Sequence, residues 1–439
     1  MERKMMRKLL EWKDNAKRMP LLIYGARQVG KTYTALTFGK QNYKNTVYFN
    51  MEESNEVTAI FERDLKPERI IRELAAKCGQ TILKQDTLII FDEIQVCERA
   101  LTSLKYFCEE APDYHIIAAG SLLGVALNRE KYSFPVGKVN MLTLYPLDFE
   151  EFLWATENER LCELIKEAYE NFKPLTLHEM ALELYRLYLV VGGMPRAVYE
   201  YLDTKDFDFV KVEQKTLNNA YVADMAKYAS TQETTKIMAA WASVPAQLTK
   251  ENNKFQYKGI KSGARAYDYE IPLEWLRSAG IVNKCIRITE GKMPLSAYAD
   301  NNSFKLYMAD TGLLCSKFDI SANIVINGAH SFDGSKGALA ENYIMQALVT
   351  NNIEPYYWSS PGKAEVDFVF QDKHGNIIPL EAKSADNVRS KSLRMFVAAY
   401  NPPYAIRVSA KNFGFENNIK CLPLYAMFCL KDIRTVGSI

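Results

Sequence analysis

The chain has 439 residues, 48% of them hydrophobic, with 55 basic and 53 acidic side chains and a formal net charge of +2. That is enough for on the order of two to four packed domains, while no apolar run approaches the ~18 residues of a membrane span and the balanced charge demands no nucleic acid beyond what local patches attract. The 8 cysteines are scattered without a C-x-x-C pair or a Cys/His cluster, which fits a reducing compartment and speaks against structural zinc. The first residues, Met1 to Lys13, lack the sustained apolar core of a signal peptide and read as an amphipathic helix. The expectation is a cytoplasmic protein with no membrane partner.

Leu21-Leu22-Ile23-Tyr24 reads as a buried strand. The next residues, Gly25, Ala26, Arg27, Gln28, Val29, Gly30, Lys31 and Thr32, match G-x-x-x-x-G-K-[ST], the phosphate-binding loop of P-loop NTPases, and Tyr33 follows in the helix it opens. A glycine-bounded loop exposes consecutive backbone N–H groups to phosphate oxygens, and the helix N-terminus adds its positive dipole end. Lys31 is expected to neutralise the β- and γ-phosphates of ATP, and the Thr32 hydroxyl to bind Mg²⁺.

Val47-Tyr48-Phe49-Asn50 is a second strand pattern, and Thr87-Leu88-Ile89-Ile90-Phe91 a third, ending in Asp92-Glu93. Continuous apolar runs suit a parallel sheet covered on both faces, and ligands of open α/β sheets bind beyond the carboxyl ends of such strands. Asp92 would then hold Mg²⁺ through water, and Glu93 would polarise the attacking water as general base. The competing reading is a solvated acidic turn. His115 to Ala119 ends in Gly120-Ser121 and lies where an added strand would sit beside the P-loop strand. Ser121 at its tip is a candidate γ-phosphate sensor or a plain turn residue. Val139 to Trp154 reads as strand, proline turn and Asp-capped helix.

From 161 to 250 the pattern is mostly helical, with apolar residues at three and four spacing in Leu161 to Tyr169 and Met180 to Val190. Gly192-Gly193-Met194-Pro195-Arg196 ends one helix and opens another. Arg196 is a candidate second sensor reaching the phosphates from this helical lid, and Arg129 is another such arginine. Residues 251–320 suggest a winged helix: Phe255 to Arg265 as helix and turn, Ile271 to Val282 as a second helix, and Cys285 to Ile288 and Lys305 to Ala309 as strands around a polar turn at Asp300 to Ser303. Lys254, Lys258, Lys261, Arg265 and Arg277 make it locally basic, suited to a DNA groove, although Asp268, Glu270 and Glu274 interrupt the patch and domain packing is the alternative.

The last region, 321–439, holds a second constellation. Glu341 lies on the helical stretch Gly337 to Leu348, Asp367 on the strand pattern Ala364 to Phe370, and Glu381 and Lys383 share one face of Ile377 to Lys383. The order resembles the PD-(D/E)XK nuclease core, which implies Mg²⁺ on Asp367 and Glu381 with help from Glu341, and Lys383 activating water or stabilising the phosphate. A Glu-x-Lys pair is also an ordinary surface ion pair, worth under about 1 kcal/mol.

Taken together, GARQVGKT, LIIFDEIQ, AAGSLL, FPVGKVNMLTLYPLDFEEFLWA and YLVVGGMPRAV resemble a large prokaryotic family of AAA-type ATPases with a C-terminal domain of unknown function, across essentially the whole chain. The resemblance implies an α/β multidomain fold: an AAA/ASCE-type parallel sheet over 1–160, a helical lid over 161–250, a winged helix over 251–320 and a PD-(D/E)XK-like domain over 321–439. It implies ATP and Mg²⁺ as cofactors. It leaves three roles: an ATPase gating a nuclease, a nucleotide-dependent switch with a protein partner or second copy, and a DNA-binding assembly factor whose nuclease-like domain is inert. Many relatives carry Gly-Arg where this chain has Gly137-Lys138, and a lysine lacks the planar fork of an arginine finger.

Overall fold

The computed structural model describes residues 1–121, 134–229, 231–250, 254–327, 333–360, 364–383 and 391–431. Arg129 lies outside the described residues. The chain forms two compact units. The N-terminal unit is Glu2–Tyr145 with Ser278–Gly280; the C-terminal unit is Pro146–Arg277 and Ile281–Ile439, with Met1. The expected boundary at residue 160 therefore falls later than the change of unit. No helix among the described residues is long and apolar enough to cross a membrane.

Among the described residues, the N-terminal unit is built on five strands: β1 (Leu21–Tyr24), β2 (Asn45–Asn50), β3 (Thr87–Asp92), β4 (His115–Gly120) and β5 (Asn140–Thr143), in the order β2-β3-β4-β1-β5. Every neighbouring pair is parallel. Both β3 and β4 are buried along their whole length. That is why they read as unbroken apolar runs rather than alternating ones. Leu22, Phe49, Ile89, Phe91 and Ile116 pack with Phe61, Ile70, Leu74, Leu104 and Phe107 of the flanking helices into one core. The N-terminal helix Met5–Asp14 buries Met5, Leu9 and Trp12, the face its spacing predicts. Parallel pairing brings the carboxyl ends of β1, β3 and β4 to one edge of the sheet.

The C-terminal unit begins with helices. Phe149–Ala155 starts in a capping box: Asp148 accepts from the Glu151 N–H at 2.9 Å and Glu151 accepts from the Asp148 N–H at 3.2 Å. Such a cap is worth about 1 kcal/mol. The helices Glu159–Asn171, His178–Val191, Pro195–Thr204, Phe207–Tyr228 and Thr231–Leu248 follow. The Gly192-Gly193 break between two of them is dictated by space. A Cβ on Gly193 would stand 1.9 Å from the Leu147 carbonyl oxygen. The Gly193 N–H donates to Asp310 at 2.7 Å. This joint fixes where the helix carrying Arg196 begins.

Among the described residues, the rest of the unit is organised on one eight-stranded mixed sheet, with helices such as Asp333–Thr350 and Lys391–Tyr400 packed against it. Its strands are β6 (Val282–Ile288), β7 (Ala299–Met308), β8 (Tyr356–Ser359), β9 (Glu365–Gln371), β10 (Ile377–Ala382), β11 (Ala405–Ser409), β12 (Gly414–Glu416) and β13 (Ile419–Pro423), in the order β12-β13-β11-β10-β9-β8-β6-β7. Strands β6 and β7, expected inside a separate winged helix, join this sheet through the parallel pairing of β6 with β8. The division at residue 320 therefore cuts through a continuous sheet. Phe255 to Arg265 is no α-helix; only Tyr257–Gly259 turns, as 3-10. Gly259 and Gly263, the latter at φ 78°, break the helical pattern there. The helix that follows, Ala266–Ser278, starts before the expected Ile271. Asp300 to Ser303 fall within β7, where its pairing with β6 is irregular: Ile286 pairs with Phe304 and Arg287 with Asp300, so residues 301–303 bulge out of the ladder.

His115 opens β4 and supplies a pH dependence. Its ring is 95% buried, and its Nδ1 lies 2.7 Å from the Tyr43 hydroxyl. Burial, with the positive charges of Arg18 and Lys13, pushes its pKa down to about 4 from 6.5. Below pH 6.5 the unfolded chain gains a proton that the folded chain refuses, so stability is lost as pH falls from 6.5 towards 4. Thermal melts across that window are expected to show a falling midpoint, and His115→Phe to flatten the fall. Equal slopes in both proteins would remove His115 as the cause.

Candidate nucleotide site and C-terminal acidic cleft

The P-loop leaves β1 at Gly25, where φ is 145° and a Cβ would stand 2.1 Å from the Leu144 carbonyl oxygen, so only glycine fits beside β5. Gln28 at φ 64° and Gly30 at φ 93° carry the left-handed turns that swing the loop into the helix Lys31–Asn42. Ala26 and Val29 are buried, whereas Tyr33 is 60% exposed. Arg3 clamps the loop from the N-terminal segment: it donates to the Val29 carbonyl at 3.0 Å and to the Tyr145 carbonyl at 2.6 Å. The Lys31 ammonium is folded into the loop, donating to the carbonyls of Gly25 at 3.0 Å and Ala26 at 2.8 Å.

Thr32 and Asp92 meet. The Thr32 hydroxyl donates to Asp92 Oδ2 at 2.7 Å, and the Tyr48 hydroxyl donates to the same oxygen at 2.9 Å. Asp92 Oδ1 accepts the Glu93 N–H at 3.0 Å. Burial and the Asp92 carboxylate push the Tyr48 pKa up, so it stays a donor. Glu93 sits in the left-handed region at φ 48°, a conformation costing a non-glycine residue roughly 1–2 kcal/mol. That turn carries its carboxylate off the line of β3. There Oε2 accepts from Gln95 at 2.5 Å and from Ser121 at 3.3 Å. The tips of β3 and β4 thus hold Glu93 between them.

Lys31, Thr32, Asp92, Glu93 and Ser121 therefore lie together, with Tyr48, Gln95 and Arg3 as members that sequence reasoning missed. Tyr48 and Arg3 reach the site through pairing and packing, which leave no local motif. Gln95, two residues past Glu93, could have been found from the short spacing. Arg196 belongs to the other unit and pairs with Glu213 at 2.7 Å. Lys138 pairs with Glu109 at 3.0 Å.

In the C-terminal unit, Glu341 projects from the helix Asp333–Thr350, Asp367 from β9 and Glu381 from β10, with Lys383 just beyond. Lys383 pairs with Glu381 at 2.9 Å. The other Glu381 oxygen is buried with no hydrogen-bond partner among the described residues. Asp367 Oδ2 accepts the Ala382 N–H at 2.8 Å. Burial, then the charge of Glu341, pushes the Asp367 pKa up to about 7, against the pull of Lys305 and the Ala382 N–H. Lys305 of β7 is 1% exposed, 2.6 Å from Glu365 and 3.7 Å from Glu341. Burial works against its charge, but Glu341, Glu365 and Asp367 outweigh it and raise its pKa. Tyr307 donates to Glu341 at 3.0 Å. Among the described residues no three His, Cys, Asp or Glu side chains are gathered as metal ligands. Of the expected metal ligands, Glu341 is engaged by Lys305 and Tyr307, Asp367 by the Ala382 N–H, and Glu381 by Lys383.

Residues 17–153 match the model of an AAA domain, residues 182–323 a domain of unknown function (DUF8612), and residues 336–427 another domain of unknown function (DUF4143). An uncharacterized protein of Methanocaldococcus jannaschii is 25% identical over 201 residues, 42% of this chain, and the match spans 40% of that protein's length. Among solved structures, a Walker-type ATPase of Pyrococcus abyssi is similar with a TM-score of 0.45 at 16% identity, over 72% of this chain and 95% of that one. The ORC2 protein of Aeropyrum pernix in its ADPNP–ADP complexes gives 0.38 at 15% identity, over 74% and 92%.

Lys31→Ala is expected to weaken ATP binding on the order of 100-fold, ~2.7 kcal/mol, in calorimetry. Unchanged affinity would remove the P-loop from phosphate binding. With the loop, the parallel sheet and the domain match in agreement, the N-terminal unit is an AAA-type P-loop ATPase domain, followed in the same chain by a unit built on a mixed sheet.

Proposed function

We propose that the N-terminal unit binds ATP with Mg²⁺ and hydrolyses it, and that its nucleotide state switches the behaviour of the C-terminal unit. The observation that carries this is the meeting of Thr32 with Asp92 at 2.7 Å, beside a Glu93 carboxylate held by Gln95 and Ser121. A hydroxyl and a carboxylate oxygen side by side are the hard donors that Mg²⁺ takes, so Thr32 and Asp92 would hold it, Asp92 through water. Mg²⁺, when bound, offsets the charge of the β- and γ-phosphate oxygens.

The chain's own groups do the rest. The N–H groups from Gly25 to Tyr33 cradle the phosphates, and Lys31 exchanges the Gly25 and Ala26 carbonyls for phosphate oxygens. Glu93 accepts the proton of the attacking water as general base. Ser121 and Gln95 act as positioning residues that aim Glu93. Arg196 is paired with Glu213 inside the C-terminal unit, and Lys138 with Glu109 inside the N-terminal one.

For the C-terminal unit, a metal-dependent nuclease would need Asp367, Glu381 and Glu341 around Mg²⁺, with Lys383 beside the scissile phosphate. The residues do not fit that ion, since Lys305 lies among the acids. That favours the reading of a switch or assembly factor whose nuclease-like sheet binds without cutting. Its partner is a protein, a second copy, or nucleic acid drawn to the exposed Lys258, Lys261 and Arg265. DNA affinity with and without ATP across salt concentrations separates these, because phosphate contacts impose a salt slope.

Glu93→Gln is expected to bind ATP within about threefold of the native affinity while turnover falls ~10²–10⁴-fold. Single-turnover hydrolysis at the native rate would dismiss Glu93 as the base. No hydrolysis by the native chain under any condition would leave a binding switch alone.

A further inference from the structure

The acidic cleft of the C-terminal unit carries its own cation. Lys305 reaches it from β7, an edge strand, while the acids come from the helix Asp333–Thr350, β9 and β10. Its ammonium is 2.6 Å from Glu365 and 3.7 Å from Glu341, and its side chain is 1% exposed. The stem passes Tyr357, with the ammonium 5.2 Å from the ring centre. A lysine this buried is rare unless paired, and here two carboxylates supply the pairing.

The remaining acids are also engaged. Glu341 takes the Tyr307 hydroxyl at 3.0 Å, Asp367 the Ala382 N–H at 2.8 Å, and Glu381 the Lys383 ammonium at 2.9 Å. One Glu381 oxygen, buried and without a hydrogen-bond partner among the described residues, is left over. A divalent ion needs several oxygens at ~2.0–2.1 Å in near-octahedral array. It would have to strip these partners away and sit against a fixed positive charge.

We propose that Lys305 is a built-in replacement for the divalent ion of this cleft, holding Glu341 and Glu365 where a metal would gather Glu341, Asp367 and Glu381, so that the native chain binds no Mg²⁺ there. The proposal rests on the nuclease-like reading of this sheet. It adds that the unit folds and works without metal. Lys305 contributes through its charge; the ammonium is too enclosed to meet a substrate.

The test is Mn²⁺ titration of the full nucleotide-free chain, followed by electron paramagnetic resonance, on native protein, Lys305→Met and Asp367→Asn. Lys305→Met keeps the length and apolar stem while removing the charge. The expected result is identical Mn²⁺ binding by native protein and Asp367→Asn, and one additional Mn²⁺ in Lys305→Met, at least about tenfold tighter than any native binding at this cleft. A thermal midpoint that rises with Mn²⁺ only in Lys305→Met would accompany it. Native protein binding a Mn²⁺ that Asp367→Asn loses would overturn the proposal while sustaining the nuclease-like reading. Folded Lys305→Met that gains no ion would overturn both. If Lys305→Met does not fold, the native and Asp367→Asn pair decides, with equal binding supporting the proposal and a lost ion overturning it. None of these readouts depends on ATP turnover.

Discussion

Parallel pairing of β1, β3 and β4 is the constraint from which the nucleotide site follows. It places the P-loop, Asp92-Glu93 and Ser121 at one edge, although they are separated by tens of residues in the chain. The register does the fine positioning. Asn50 of β2 pairs with Asp92, which brings Tyr48 close enough to share the Asp92 carboxylate with Thr32. A strand slip of one residue would turn every one of these side chains to the opposite face. The apolar filling of the sheet, complete along β3 and β4, therefore fixes site geometry as well as stability.

The two units were not equally legible. In the first, the chemistry lies in short contiguous motifs, so Gly25 to Thr32 and Asp92-Glu93 could be read directly. What escaped was held by distant partners: Arg3 on the Val29 carbonyl and Tyr48 on Asp92. In the second, secondary structure was read well where helices are amphipathic, as in Glu159–Asn171, and poorly where glycines cut the pattern, as at Gly259 and Gly263. Pairing partners were not readable, since the apolar residues of β6 and β7 mark them as strands but do not record which strand lies alongside. Lys305 was read as one residue of a strand for the same reason. Its burial depends on β7 lying near Glu365, which no local pattern records.

Both units place a lysine ammonium inward, with different consequences. Lys31 is held by two carbonyl oxygens, neutral partners that a phosphate can displace. Lys305 is held by two carboxylates in a buried setting, where losing either partner would leave an uncompensated charge. The first arrangement is poised for exchange and the second for permanence. A mobile cation suits binding and release of nucleotide; a fixed one suits a scaffold.

The continuity of the mixed sheet across residue 320 bears on how this chain can be divided. The two domain models meet between residues 323 and 336, yet β6 and β8 pair directly across that junction. A fragment starting after the junction would bare the whole edge of β8, an invitation to edge-to-edge aggregation. It would also leave Glu341 and Glu365 without their ammonium. The two segments share one hydrogen-bonded fabric, so neither keeps its strand pairing when cut from the other.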